Sequence, residues 1–547
     1  MSLDKKSSQS NFSHKEDIEE VEYVQTIDPE KEQVDLNTIE ALAASKAAWL
    51  ISIVVSLGGL LFGYDTGYIS SVLVSIGSSL GHVLSSNEQE MVTSLTSGGA
   101  LVGAVFAGLS ADRFGRRRPL WGACVVFVIG TVLQTCAFSV AQFATGRFVV
   151  GLGVGSAAMI SPLYIGELAP AKYRGRMVAF NNMSVTFGQL VASALGAGFT
   201  EVKGEGWRAT VGIGAVPAIA LAALLFLCPE SPRQLVSRGK LDEAEAVLLR
   251  IYPGSTQDQR KAKVRSIGNS LSESLSAMSE ESLWVTFKRV FNTPATGRAV
   301  LTACIIMAVS QLGGFNTLMY YAATIFSIVG FSNATAVGIT VSGTNFVFSI
   351  LNLVLVDKFG RRIILVVTLL GMGFCLIVAV VAFHYIPIDT NTLVVGTTQV
   401  GWPGTLVLVA IICYVGFYSS GVATIAWIGT ELIPLEVRAV GTMLSRACPL
   451  IMNTFQNTVT CWGTNIIVSS TFLSMMKAWT PSGAFGFYAA ICFIGWIFVY
   501  FFFPECKGMP LEVVREVFSD GFGVKYSKKW QKEHKHDAKV ETVVFGH

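Results

Sequence analysis

The sequence predicts an all-α membrane protein with twelve spanning helices in two six-helix halves. First, the chain of 547 residues is 52% hydrophobic and only 14% charged, with a mean hydropathy of +0.54, whereas a typical soluble protein is about 25% charged. Second, twelve apolar segments reach the roughly 20 residues that a membrane helix needs. Third, several charged motifs recur in the same order in both halves of the chain. These features exclude a soluble enzyme, a disordered scaffold and a disulfide-rich secreted domain.

The twelve apolar segments, numbered spans 1 to 12, form two groups of six. Spans 1 to 6 lie near 48–73, 90–110, 119–138, 141–165, 177–199 and 209–228. Spans 7 to 12 lie near 298–328, 335–356, 363–383, 405–430, 440–474 and 484–503. Closed β-barrels also cross membranes, but their strands alternate polar and apolar residues. Continuous apolar runs such as Ile363–Val367 therefore predict helices.

These segments divide the chain into five expected parts. They are an acidic N-terminal tail at 1–47, a first six-helix half at 48–228, a central helical loop at 229–297, a second half at 298–504 and a C-terminal tail at 505–547. The central loop mixes positive and negative charges, which is typical of short, solvated helices.

Lysine and arginine concentrate at one end of the spans, here called the basic end. The residues concerned follow spans 2, 4 and 8: Arg113, Arg116, Arg117, Arg118, Lys172, Arg174, Arg176, Lys358, Arg361 and Arg362. Loops at the opposite end hold only Lys203, Arg208 and Lys477. Cytosolic loops carry an excess of Lys and Arg, so we expect the basic end, the central loop and both termini to be cytosolic.

The charge balance and the cysteines predict no further partner or cofactor. A net charge of +3 is too small to indicate a nucleic-acid partner. The ten cysteines are scattered and mostly lie inside apolar runs, where they behave as small hydrophobic residues. We expect no metal site and no cofactor.

Three motifs occur once in each half. Asp112–Arg117 recurs as Asp357–Arg362, Glu167–Pro170 recurs as Glu431–Pro434, and Pro229–Glu230 recurs as Pro504–Glu505. Two related six-helix halves are the plan of major facilitator transporters, which hold the substrate between the halves near the middle of the membrane.

The motifs resemble those of the sugar porter family of the major facilitator superfamily, over roughly residues 50–515. The resemblance rests on Gly108-x3-Asp112-Arg113-x-Gly115-Arg116-Arg117, on Pro-Glu-Ser-Pro-Arg at 229–233, and on Pro504-Glu505-x-Lys507-Gly508. Within the family, the segments 63–71 and 341–346 are most similar to fungal proton-coupled myo-inositol transporters.

Two ionisable residues lie well inside predicted spans, Asp65 in span 1 and Arg147 in span 4. A charge in the hydrocarbon costs at least about 2.5–3.5 kcal/mol, so it needs a partner or a role. Asp65 lies roughly 25 Å along its helix at 1.5 Å per residue, and Arg147 lies a few residues after the start of span 4. Both residues are therefore in the half of the membrane away from the basic end. One interpretation is a structural ion pair, or an Asp65 that caps a helix kink. The other is a proton switch. The resemblance implies proton-coupled symport.

Uncharged polar and aromatic residues inside the spans are the candidates for binding a polyhydroxy substrate. They are Gln189, Gln311, Asn316, Tyr321, Asn345, Trp427, Trp462 and Asn465. Contact between helices is the alternative role for any such residue; the resemblance implies substrate contact for Gln189, Gln311, Asn316 and Asn345. Ser310 stands where the family usually has a second Gln, and the segment before Trp427 lacks the usual prolines.

Charged residues near the basic end are candidates for gating. They are Asp112, Arg116, Glu167, Arg174, Glu230, Arg233, Asp357, Arg361, Glu431, Arg438 and Glu505. They could simply set the topology. Alternatively, they form a latch of salt bridges between the halves, which breaks when the basic end opens.

The leading hypothesis is therefore a proton-coupled myo-inositol symporter in the plasma membrane, with a small polyol or sugar, protons and the lipid bilayer as its partners. A transporter of another sugar or polyol is the first alternative. A non-transporting nutrient sensor is the second, and the short tail of 43 residues from Glu505 argues against it. The sequence shows no cluster of a nucleophile and a base, so we do not expect an enzyme.

Overall fold

The computed structural model describes most of the chain. The described residues are 34, 36, 38–40, 42, 44–200, 202, 205–276, 294–389, 394–395, 400–428, 460–505, 509, 517–519 and 521–533.

Six helices of the first half correspond to spans 1 to 6. They are α1 (Lys46–Ser75), α2 (Ser86–Phe114), α3 (Arg117–Thr135), α4 (Val140–Leu168), α5 (Arg174–Thr200) and α6 (Gly206–Leu227). Helix α6 is interrupted at Gly214. Three polar helices follow at the basic end: α7 (Pro232–Val236), α8 (Leu241–Ile251) and α9 (Gln257–Ser276).

The second half has broken as well as continuous helices. Span 7 consists of α10 (Pro294–Leu312) and α11 (Phe315–Val329); spans 8 and 9 are α12 (Ala334–Phe359) and α13 (Arg361–His384). Two short antiparallel strands follow, β1 (Ile388–Asp389) and β2 (Val394–Val395). Span 10 consists of α14 (Trp402–Phe417), a π-helical turn (Tyr418–Val422) and α15 (Ala423–Ile428). The last helices are α16 (Gly463–Phe502) and α17 (Val524–Glu533).

The helices account for twelve crossings of the membrane. In the described part of the chain, ten helices are long and apolar enough to cross a bilayer. One of them, Thr460–Phe502, has 43 residues and changes direction at Thr480, where φ is 65° immediately before Pro481. It therefore supplies spans 11 and 12. Helix α5 adds the twelfth crossing. The predicted fold class is confirmed, although the beginning of span 11 at 440–459 lies outside the described residues.

Two glycines let α5 approach α1 closely. A methyl group at Gly63 would lie 1.9 Å from the carbonyl oxygen of Val185, and one at Gly67 would lie 2.6 Å from that of Gln189. Small residues allow helix backbones in membranes to come this near. The close approach fixes the position of Gln189 beside α1.

The buried core joins the two halves at the end opposite the basic end. Tyr68 and Val72 of α1 belong to the same buried cluster as Leu318 and Phe326 of α11. A second cluster packs the helices of the first half around Phe127 and includes Trp462 of the second half. The halves are therefore in contact at the opposite end.

Candidate functional site

Asp65 of α1 and Arg147 of α4 form a buried ion pair. Arg147 Nη1 lies 2.6 Å from Asp65 Oδ1, and each side chain is 1% exposed. Arg147 also donates through Nε to the carbonyl oxygen of Val92, at 3.3 Å. The arginine therefore links three helices, α1, α2 and α4.

Tyr68 and Gln134 extend this pair into a hydrogen-bonded network. Arg147 Nη1 donates to the Tyr68 hydroxyl at 2.9 Å, and that hydroxyl lies 2.9 Å from Asp65 Oδ1 and 3.0 Å from Gln134 Oε1. Because the hydroxyl has one proton, it donates to one of these oxygens at a time. Tyr68 is thus a switchable donor beside the ion pair.

The second carboxylate oxygen of Asp65 is unused. Asp65 Oδ2 is buried and has no hydrogen-bond partner among the residues that the structure describes. An ionised carboxylate can accept about four hydrogen bonds, and a buried one is unfavourable unless these are made. The free oxygen is the atom that can accept a proton without Arg147 having to move first.

A chain of polar side chains crosses from the first half to the second beside this pair. Gln189 Nε2 donates to Thr66 Oγ1 at 3.1 Å, and Asn345 Nδ2 donates to Gln189 Oε1 at 2.6 Å. The Ser419 hydroxyl then donates to Asn345 Oδ1 at 2.7 Å. Thr66 directly follows Asp65 in α1, so the polar chain begins one residue from the ion pair.

The break in span 7 brings a second polar pair together. Gly314 has φ of 98° and separates α10 from α11, and Asn316 Nδ2 donates to Gln311 Oε1 across it. Phe315 stacks on Tyr418, with ring centroids 3.9 Å apart. This stack supplies a flat aromatic surface between spans 7 and 10.

Tyr321 does not point toward Gln311. A kink at Tyr321 itself, with φ of −121° and ψ of 16°, turns its side chain toward α16. There its hydroxyl donates to the carbonyl oxygen of Ser469 at 2.8 Å, and its ring stacks on Phe472. The neighbouring Tyr320 accepts a hydrogen bond from Asn465 instead, at 3.1 Å.

Of the two tryptophan candidates, the structure describes one. Trp462 is buried against the first half, and its ring contacts Phe62 of α1 with centroids 5.3 Å apart. The side chain of Trp427 lies outside the described part of the structure.

At the basic end, Arg116 is the centre of a charged cluster. Its guanidinium binds Glu167 with two hydrogen bonds of 2.8 and 2.9 Å, lies 3.5 Å from Asp112 Oδ1 and donates to Gln234 Oε1. Burial lowers the pKa of Arg116, but the carboxylates of Glu167, Asp112 and Glu230 outweigh this and raise it. These partners all belong to the first half and the adjoining helix α7.

The repeated acids Glu230 and Glu505 bind helix starts. Glu230 accepts from the backbone N–H groups of Arg116 and Arg117, at 2.8 and 3.4 Å. Glu505 accepts from the same groups of Arg361 and Arg362, at 3.2 and 3.0 Å. Carboxylates satisfy the free N–H groups at helix N-termini. Glu230 therefore caps α3, and Glu505 caps α13.

The remaining gating candidates are only partly described. Arg174 is exposed and Arg233 is half-buried. Glu431, Arg438 and the side chain of Asp357 lie outside the described part. The cross-half latch thus stays a prediction.

Several site residues were not identified from the sequence. Thr66, Tyr68 and Ser419 are common residues in membrane helices, and no pattern distinguishes them. Gln134 is an amide inside predicted span 3, the same signal that identified Gln189, and it was overlooked. Glu90 also carries a visible signal: it is an acid at the first residue of predicted span 2. It is buried in α2 and binds Ser474 of the other half.

Two six-helix halves around a buried ion pair and an uncharged polar chain define a solute transporter of the major facilitator type. A family model described as "Sugar (and other) transporter" matches residues 51–518. The chain therefore belongs to this sugar transporter family and is a multi-pass membrane transporter, not an enzyme, as the sequence predicted.

Relatives and solved structures agree with this assignment. The chain is 41% identical to Myo-inositol transporter 1 of Candida albicans, over 90% of this chain and 87% of that one. It is 40% identical to Myo-inositol transporter 1 of Saccharomyces cerevisiae, over 93% and 86%. The inward-open xylose transporter XylE from E. coli matches with a TM-score of 0.68 and 26% identity, covering 86% of this chain and 99% of that one.

A second XylE structure is described as a proton:xylose symporter bound to 6-bromo-6-deoxy-D-glucose. It matches with a TM-score of 0.67 and 27% identity, covering 86% of this chain and 99% of that one.

Proposed function

We propose that this chain is a proton-coupled symporter that carries myo-inositol across the plasma membrane by alternating access. The observation that carries the proposal is the Asp65–Arg147 pair, buried one residue from the polar chain that begins at Thr66. The similarity at 40–41% identity to two proteins named as myo-inositol transporters supports the choice of substrate.

The proton binds at Asp65. In the ionised state, Oδ1 holds Arg147 and Tyr68, and Oδ2 is free. Protonation of Oδ2 removes the charge that attracts Arg147. The arginine keeps its bonds to the carbonyl oxygen of Val92 and to the Tyr68 hydroxyl, so its hold on α1 is weakened while its hold on α2 is unchanged.

The substrate binds where the polar chain crosses between the halves. Myo-inositol is an uncharged ring with a hydroxyl on every carbon. The amides of Gln189 and Asn345 each offer both donors and acceptors, and in this state they bond to each other. Substrate hydroxyls replace that bond, while the stacked Phe315 and Tyr418 face the ring carbons. Gln311, Asn316 and Asn465 complete the site.

The basic end faces the cytosol in this proposal, following the distribution of Lys and Arg. The halves are in contact at the opposite end, so the state described is closed toward the outside. Arg116 and Glu167 form the first-half part of the cytosolic latch, and Glu431 and Arg438 are its proposed counterparts.

Another sugar or polyol is the second candidate substrate. Two observations favour it: Ser310, which lies 3.4 Å from the Tyr418 hydroxyl, reaches less far than a glutamine, and the structural relatives include a xylose transporter. A pentose or hexose would use the same polar chain.

Uptake of labelled substrates separates these candidates. The chain is expressed in cells that lack their own inositol and hexose transporters, and uptake of myo-inositol and glucose is measured with cells carrying the empty vector as the control. We expect saturable myo-inositol uptake that increases when the outside is acidified and that excess glucose does not inhibit. Glucose or xylose uptake without inositol uptake would replace the proposed substrate.

A further inference from the structure

A carboxylate of the first half binds the second half at the end opposite the basic end. Glu90 Oε1 accepts a hydrogen bond from the backbone N–H of Ser474 at 2.7 Å, and Glu90 Oε2 accepts one from the Ser474 hydroxyl at 2.6 Å. Glu90 lies in the first turns of α2 and is 5% exposed. Ser474 lies in α16, shortly before the turn at Thr480.

We propose that Glu90 is the positioning residue that holds the outer gate of this transporter closed. The inference rests on the proposed topology and alternating access, and it adds a residue that closes the gate without touching the substrate. The pair of Glu90 and Ser474 is called the outer clasp below.

The outer clasp depends on the negative charge of Glu90. Both of its oxygens are acceptors, and both Ser474 groups donate, so the geometry fits an ionised carboxylate. Hydrogen bonds to charged groups are roughly twice as strong as neutral ones. Among the described residues, no Lys or Arg forms an ion pair with Glu90, so the two bonds from Ser474 are what offsets its burial.

This arrangement has two stable states. When the halves meet, Ser474 satisfies the carboxylate; when they separate, water does so. A carboxylate that is hydrogen-bonded in both states does not strongly destabilise either of them. The two hydrogen bonds from Ser474 then stabilise the closed state relative to the open one. Such a contact is the bistable element that alternating access requires.

Another hydrogen bond joins the halves at the same end. The backbone N–H of Ala323 in α11 donates to the Ser70 hydroxyl of α1 at 2.8 Å. Within the second half, Tyr321 of α11 donates to the carbonyl oxygen of Ser469, five residues before Ser474, and so ties α11 to α16. The outer clasp is thus part of a closed surface, and it supplies the only carboxylate that crosses between the halves there among the described residues.

The outer clasp is also connected to the proton site. Val92, whose carbonyl oxygen binds Arg147, lies two residues after Glu90 on α2, a rise of about 3 Å. A movement of α2 that breaks the clasp therefore displaces the anchor of Arg147. This connection gives a direct path from the state of the gate to the proton-binding pair.

Glu88 provides a matched control on the same helix. It lies two residues before Glu90, but its hydrogen-bond partners in the described part of the chain are near neighbours: His82 and the backbone N–H and hydroxyl of Ser85. Replacing it removes a charge at the same end of α2 without touching the second half.

The test measures how readily the outer side opens. Ser193, which lines a small cavity between the halves together with Ser70 and Met319, is replaced by cysteine as a reporter. Intact cells are treated with a membrane-impermeant thiol reagent from outside, and labelling of the same chain without S193C is subtracted to remove the native cysteines. No substrate is needed.

We expect E90Q to increase the S193C labelling rate by about tenfold, which corresponds in energy to one charge-assisted hydrogen bond. The amide keeps an acceptor for the Ser474 backbone N–H, and its NH2 can donate to the Ser474 hydroxyl, which is also an acceptor. Both hydrogen bonds therefore persist but lose their charge assistance. S474A should give a smaller increase because its backbone N–H remains. The increase in E90Q/S474A should be smaller than the product of the two single increases, since S474A then removes only a neutral hydrogen bond, and E88Q should match the parent.

Equal labelling in E90Q and the parent, or equal increases in E90Q and E88Q, would overturn the outer clasp. If E90Q fails to reach the cell surface, S474A decides alone: unchanged labelling contradicts the proposal. Because the assay uses no substrate, the clasp can be supported even if the parent takes up no myo-inositol, and inositol uptake can be present while the clasp is refuted.

Discussion

Asp65 Oδ1 lies 2.6 Å from Arg147 Nη1 in the interior of the protein, while Asp65 Oδ2 has no partner among the described residues. A buried ion pair that serves only stability is expected to satisfy its remaining lone pairs, because desolvation otherwise exceeds the attraction between the charges. The unused oxygen therefore favours the proton switch over the structural interpretation of this pair.

Replacing Gln311 by alanine should weaken substrate affinity. A lost hydrogen bond that leaves a buried polar group unpaired costs about 1–3 kcal/mol, which is roughly 5- to 150-fold in affinity. The affinity is obtained from competition binding at matched surface expression. Asn269→Ala removes an exposed amide from the polar helix α9 and should leave affinity unchanged. An affinity equal to that of the parent would remove Gln311 from the site.

Replacing Gly67 by alanine should lower thermal stability in detergent. The added methyl group would lie 2.6 Å from the carbonyl oxygen of Gln189, so α1 and α5 must separate. At Gly98 of α2 the same substitution meets no atom within 4 Å, and alanine is the better helix former by about 1 kcal/mol. Gly98→Ala should therefore be neutral or stabilising. A Gly67→Ala protein as stable as the parent would show that the close approach is dispensable.

Replacing Glu167 by glutamine should shift the transporter toward the state open at the basic end. The change removes the charge that binds Arg116 through two hydrogen bonds. The native, buried Cys461 within span 11, just before α16, serves as the reporter, labelled from the basic side of inside-out vesicles. Glu243→Gln, at an exposed pair with Lys240, is the control. Labelling of Cys461 that equals the control would exclude Glu167 from the latch.

The sequence identified the site residues whose charged or amide side chains are unusual inside an apolar membrane helix. Asp65 and Arg147 were found because charges inside spans are costly and because helix rise gives their depth. Gln189 and Asn345 stand out in the same way, and the structure joins them by a hydrogen bond. The twelve spans followed from the length of apolar segments alone.

Other features depended on geometry that a linear pattern does not contain. The kink at Tyr321 turns this residue away from Gln311 and leaves Tyr320 facing Asn465. Glu230 and Glu505 were predicted to be latch residues, but the structure places them on backbone N–H groups, where they cap α3 and α13. Glu90 was overlooked because an acid at the edge of a span is normally solvated, and only the packing of α16 against α2 buries it.

The most direct test of the central claim compares the parent with Asp65→Asn in liposomes. Asn keeps the shape of Asp65 and cannot exchange a proton. Purified protein is reconstituted, and two quantities are measured: exchange of labelled for unlabelled myo-inositol at equal pH, and accumulation of myo-inositol driven by an inward proton gradient. Asp242→Asn, an exposed change on α8, is the control and should behave as the parent in both.

We predict that Asp65→Asn retains exchange, because exchange needs only the substrate site and alternating access, and that it loses accumulation entirely. Accumulation by Asp65→Asn that still follows the proton gradient would place the coupling site elsewhere. A parent protein that exchanges myo-inositol but never concentrates it would be a uniporter with a structural Asp65, and that result would contradict proton-coupled symport.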